Sequence, residues 1–137
     1  MRLGLATVGR WVAAALILGG GAIHLKLYFD GYRDFPNANL GRSFLLNAIA
    51  SLVVAILLVV WRNPLSLLAG LVLVNATLLA FALSRTSNGI FDFTETGFNP
   101  SPEAVLSLVF EIGAAVVLIG LLVVEWAGTR REVAPAQ

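Results

Sequence analysis

Four long apolar stretches decide what this chain can fold into. They run from about Trp11 to Tyr28, Phe44 to Trp61, Leu65 to Leu83 and Pro102 to Trp126. As a helix, a stretch of roughly 18 to 23 apolar-dominated residues crosses the ~30 Å of hydrocarbon in a bilayer. Water is excluded as the solvent for the rest of the chain as well. Of the 137 residues 58% are hydrophobic and 12% charged, with a mean hydropathy of +0.88, and that leaves too little polar surface to cover a soluble monomer. The expected fold is therefore all-α: an integral membrane four-helix bundle made of two transmembrane helical hairpins, in one domain over 1–137. The lipid bilayer is its first partner.

The intervening segments set the layout. Residues 29–43 form a loop of mixed charge, with Asp30, Arg33, Asp34 and Arg42, punctuated by Gly31, Pro36, Asn37, Asn39 and Gly41. Arg62-Asn63-Pro64 is too short for anything but a tight turn, so the helices it joins are antiparallel neighbours. Pro64 suits a first helical turn, where no amide donor is missed. Residues 84–101 form a second long loop with the turn signal Asn88-Gly89 and phenylalanines at 91, 93 and 98. Phe91 and Phe93 alternate with Asp92 and Thr94, as in a short strand or an interfacial segment. All three rings are expected to fold back onto the bundle mouth, since exposed clusters of Phe are costly. Ser101-Pro102-Glu103 reads as N-cap, N1 and N2 of the last helix. The first run is read as a retained span, since no A-x-A cleavage site follows it. The polar end from Gly128 is expected to fray.

Four spans place both termini on one side. That side carries Arg2, Arg10, Arg62, Arg130 and Arg131, against Lys26, Arg33, Arg42 and Arg85 on the other. The positive-inside rule then puts the termini in the cytoplasm, by five charges to four. Trp11, Trp61 and Trp126 fall at span ends on the termini side, as an aromatic belt requires. Eight of the nine basic residues are Arg, and Ala, Val and Leu abound, a bias of high-GC bacterial genomes. The expected location is a bacterial plasma membrane.

Polar groups inside spans are expensive and face the bundle interior. Here they are His24, Asn47, Ser51, Asn75, Thr77, Ser107 and Glu111. Counted from the long-loop ends, His24 lies about 6 Å deep, Asn47 about 5, Ser51 about 10, Glu111 about 12 and Asn75 about 13 Å. The other half of the membrane reads as almost purely aliphatic. Ala13, Ile17, Gly20, His24 and Tyr28 share one stripe, and Ala104, Ser107, Glu111, Ala114 and Ala115 share another. Small residues beside polar ones mark helix contact faces, and Gly19 to Gly21 admit a close neighbour. A lone carboxyl at the depth of Glu111 must be protonated, paired or watered, and His24 is the partner expected by depth. Tyr28, Tyr32, Arg33, Asp92 and Glu95 are the loop-side candidates.

Several chemistries are excluded or unsupported. With no cysteine there is neither a disulfide nor a thiol nucleophile. One histidine supplies no pair of haem ligands, and no spacing suggests a metal site. No phosphate loop or catalytic constellation is present, so neither cofactor nor enzyme activity is expected. A net charge of +1 argues against nucleic acid.

The stretches His24-Leu25-Lys26-Leu27-Tyr28-Phe29-Asp30-Gly31-Tyr32-Arg33-Asp34-Phe35-Pro36 and Glu95-Thr96-Gly97-Phe98-Asn99-Pro100-Ser101-Pro102-Glu103 resemble segments of uncharacterised small four-helix membrane proteins of actinobacteria. The resemblance implies a bacterial plasma-membrane location and no particular activity. Two readings of function follow from the residues. One is a non-enzymatic accessory or assembly subunit of a larger membrane complex. The other is a small oligomeric proton-linked carrier or channel using Glu111 and His24.

Overall fold

The computed structural model describes residues 2–133, and side chains over 4–128. Four helices follow one another: α1 (Arg2–Phe29), α2 (Ala38–Val60), α3 (Pro64–Ser84) and α4 (Glu103–Val133). All four contain stretches long and apolar enough to cross a membrane, over Gly4–Phe29, Ala38–Val60, Pro64–Ser84 and Glu103–Gly128. The chain is a multi-pass membrane bundle, all-helical as its hydropathy requires. α1 packs against α2 and α4, and α3 packs against the same two, which closes the helices into a ring in chain order. One end of the bundle carries the two long loops. The other carries the short α2–α3 turn and the outer ends of α1 and α4.

The helix boundaries correct the sequence reading in four places. α1 begins at Arg2, not near Trp11, so Arg10 lies two turns inside it. α2 begins at Ala38, not Phe44, because Asn37 caps it: the Asn37 side-chain oxygen accepts the Asn39 N–H at 3.1 Å. Ser101 is not the cap of α4. That helix starts at Glu103, and the Pro100 and Pro102 carbonyls accept the amides of Ala104 and Leu106. α4 also continues through Gly128 to Val133, where fraying was expected; residues 134–137 lie outside the described residues. α3 starts as expected, with Asn63 capping the Leu65 N–H at 2.9 Å and Pro64 in the first turn.

The interior is aliphatic and filled. Ala13 and Ile17 of α1, Leu58 of α2, Leu67 and Val74 of α3, and Ala114 and Leu118 of α4 are all buried in one cluster. The outward faces are equally apolar, with Val72 71% exposed and Ile119 53% exposed, as suits contact with lipid. Trp11, Trp61 and Trp126 are exposed at the turn end. The glycine run of α1 lies where its neighbours press hardest. A Cβ at Gly20 would fall 2.7 Å from the Glu111 carboxyl of α4, and one at Gly21 2.5 Å from the Cβ of Ser51 of α2.

Candidate functional site

The loop end is built as a cap from both long loops. A single 3₁₀ turn at Tyr32–Asp34 lies against the start of α2. Gly41 makes that approach possible, since a Cβ there would meet the Arg33 Cα at 2.8 Å. The Tyr32 ring then packs on Phe44 of α2 at 4.5 Å between centroids and on Phe93 of the second loop at 5.5 Å. Phe35 meets Phe93 edge-on at 5.6 Å. Beneath them, the His24 ring lies 5.2 Å from Phe44. An aromatic column thus runs from α1 through both loops. Burial raises the Tyr32 phenol above its ordinary value of 10.0, and the Glu95 carboxylate adds to the rise.

Polar links fix the second loop to the first and to α3. Asn37, already the cap of α2, donates its amide to the Asp92 carboxylate at 2.7 Å. Arg85, just past α3, donates to the Gly97 carbonyl at 3.1 Å and the Asn99 carbonyl at 2.6 Å. Its guanidinium also lies 3.6 Å from the centroid of the Phe81 ring. The Glu95 amide donates to the Ser84 carbonyl at 2.8 Å, and the Glu95 carboxylate accepts from Thr96 N–H at 3.0 Å. Lys26 pairs with Asp30, just past the end of α1, and with Glu103 at 2.8 Å, joining the loop ends of α1 and α4.

The tip of the second loop is a two-residue reverse turn. Ile90 and Phe93 exchange backbone hydrogen bonds at 2.9 Å in each direction. The two residues between them are both left-handed, with φ of 53° at Phe91 and 60° at Asp92. Asp tolerates that region, but a bulky aromatic residue there is an outlier with a cost of order 1–3 kcal/mol. Of the three phenylalanines expected to fold back, only Phe93 does. Phe91 is 39% exposed and Phe98 61% exposed. The alternation of Phe91 and Phe93 with polar residues marks this turn, and among the described residues no strand forms.

Within the membrane the candidate residues divide. Asn47 of α2 donates to the Thr77 hydroxyl of α3 at 2.7 Å, and Ser51 donates back to Asn47 at 3.3 Å. These three tie α2 to α3. His24 donates its Nδ1–H to the Gly20 carbonyl at 2.9 Å, which fixes the tautomer when the ring is neutral. Glu111 is buried, 5% exposed, with its carboxyl against Gly20. The expected His24–Glu111 contact is absent: among the described residues neither a hydrogen bond nor an ion pair joins them, and Glu111 makes none of its own. The His24 ring turns down onto its own helix, and burial alone confronts the carboxyl. Ser107 is buried one turn before Glu111 on the same face. Asn75 contradicts the interior placement outright. It is exposed on the lipid face of α3, with its amide bonded to the Leu71 carbonyl at 2.8 Å. Tyr28 is half-buried edge-on to Phe29, and Arg33 is an exposed partner of Asp34 at 3.3 Å.

Sequence reasoning missed a cluster at the turn end, a half of the bundle expected to be aliphatic. Arg10 is buried, 5% exposed, and donates to the Ser66 hydroxyl at 2.8 Å and the Glu125 carboxylate at 2.7 Å. It also reaches the Trp61 carbonyl at 3.4 Å and the Asn63 carbonyl at 3.5 Å. One side chain therefore ties α1, the α2–α3 turn and α4 together. The signal in the sequence was opposite charges at matching depth: Arg10 early in the first helix and Glu125 late in the last. No family model, curated protein or solved structure matches this chain.

Proposed function

We propose that this chain is a non-enzymatic subunit of a larger membrane assembly, and that it binds its partner through the loop-end cap. The observation that carries this reading is the Phe91–Asp92 turn. Its strained backbone is held in place by Asn37 below and by the packing of Phe93 behind, and it presents the Phe91 ring outward. Lipid alone explains this poorly. A phenylalanine in relaxed extended backbone would enter the headgroup region equally well, whereas a ring carried on a strained, braced turn suits a shaped partner. The polar residues of the spans support the same reading, since Arg10, Asn47, Ser51, Ser66 and Thr77 are engaged in tying the helices to one another. The carrier reading rests on the unpartnered Glu111, and it loses its second element because His24 faces Gly20.

The membrane is a bacterial plasma membrane with the termini on the cytoplasmic side, so the cap faces outward. The arginine excess on the termini side supports that orientation. Solubilisation in mild detergent tests the role. The wild-type chain is expected to copurify with a larger membrane protein in fixed stoichiometry. The Phe91→Ser, Phe98→Ser double variant is expected to recover at least tenfold less partner with unchanged helix content. A chain that purifies without a partner and dissipates a pH gradient in liposomes, with loss of flux in Glu111→Gln, would establish the carrier instead.

A further inference from the structure

Asn75 sets an amide on a lipid-facing row at the middle of α3. Leu65, Leu68, Val72, Asn75, Leu79 and Ala82 are all exposed, and their spacing alternates between three and four residues. That is the 3.5-residue repeat of a seam between parallel or antiparallel helices. The spacing alone decides nothing, because the exposed row of α2 has it too and is apolar over Leu46, Ile49, Val53 and Ile56. Hydrocarbon satisfies such a row. It does not satisfy Asn75.

Within its own chain Asn75 uses one amide hydrogen, on the Leu71 carbonyl. Its side-chain oxygen and second amide hydrogen have no partner among the described residues. Residue 75 lies about 16 Å from the Pro64 end of the helix, too deep for so short a side chain to reach water. The missing partner must come from another membrane helix, which has to supply both a donor and an acceptor at that depth.

We infer that the exposed row of α3 is a dimer seam, on which a second copy of this chain packs with its own α3 parallel and in register. A carboxamide is its own complement, because the acceptor of one copy takes the free donor of the other across a two-fold axis. Two copies inserted in the same direction hold Asn75 at the same depth, so no further sequence needs to be supplied. Leu68, Val72 and Leu79 flank the amide pair with apolar packing, and a single polar position in an apolar seam fixes register. The inference is independent of the cap: the seam lies along a lipid face, while the partner surface lies at the loop end.

Cysteine cross-linking in native membranes tests it, and the chain has no cysteine to interfere. Val72→Cys and Leu79→Cys, one turn either side with Asn75 kept, are expected to form an oxidised product of twice the chain mass. Ile56→Cys on α2 and Ile119→Cys on α4 serve as controls and are expected to give none. Adding Asn75→Leu to the Val72→Cys chain is expected to cut the product about tenfold, the size of effect an interhelical amide bond supports. Adding Asn75→Gln, which keeps donor and acceptor, is expected to retain most of it. Asn75 is exposed and its hydrogen bond stays within its own helix, so these variants are expected to fold; a thermal melt in detergent checks it. Products from Val72→Cys no greater than from the controls would overturn the inference. So would cross-links only to a different protein, or a dimer indifferent to Asn75→Leu.

Discussion

At the scale of single residues, two ion pairs join helices: Arg10 with Glu125, and Lys26 with Glu103. Arg10 illustrates the asymmetry of a buried ion pair. Its guanidinium is almost wholly buried, while the Glu125 side chain keeps 31% of its exposure. Glu125→Leu therefore strands a buried cation on neutral acceptors, whereas Arg10→Leu leaves a carboxylate that can still reach water. Stranding a buried charge costs about 3–5 kcal/mol, and losing a partly solvated pair costs nearer ~1 kcal/mol. Thermal melts in one detergent are expected to place Glu125→Leu well below Arg10→Leu. The reverse order, or equal losses, would mean that Ser66 and the turn carbonyls satisfy Arg10 unaided. The charges at matching depth were the one signal of this cluster, and hydropathy hides it by placing a lone Arg near the start of an apolar run in the flanking loop. Glu111 shows the opposite case. Its burial was legible from depth and face, but its lack of a contact with His24 was not, because the direction of the His24 ring is settled by the Gly20 carbonyl four residues away on the same helix.

At the scale of elements, hydropathy made the four spans and the tight turn legible, since nothing else satisfies backbone groups in lipid. The ends of the helices were harder to read. α2 starts one full turn or more before its apolar run, because Asn37 caps polar residues that hydropathy assigns to a loop. The cap over the loop end was half legible. The phenylalanines marked the second loop, but the pairing of Tyr32 with Phe93 and of Asn37 with Asp92 spans 55 or more residues and has no local signature. Tyr32 reports whether that cap is closed. Its folded pKa is raised, so folding favours the neutral phenol. The stability it contributes is full below the ordinary value of 10.0 and falls as pH rises through the folded value. In a Tyr28→Phe background only Tyr32 ionises, and tyrosinate absorbance at 295 nm is expected to rise with a midpoint above 10.0. Asn37→Ala, which removes the tie to Asp92 and the α2 cap, is expected to bring the midpoint back towards that value. A wild-type midpoint at or below it would mean an open cap.

At the scale of the whole molecule, the bundle has a filled aliphatic core, polar ties at both ends, and one braced, strained turn on an exposed surface. Proteins retain backbone strain where the surrounding structure holds it for a purpose. The central claim is that Phe91 meets a protein partner. Its most direct test replaces Phe91 with the photoreactive p-benzoylphenylalanine, which keeps the ring and its geometry, and irradiates intact native membranes. The same replacement at Val123, exposed on α4 towards the turn end, supplies the lipid baseline. A single discrete protein adduct from position 91, absent from position 123, is the predicted result. Lipid adducts alone at both positions would contradict the account and make the cap an interfacial anchor.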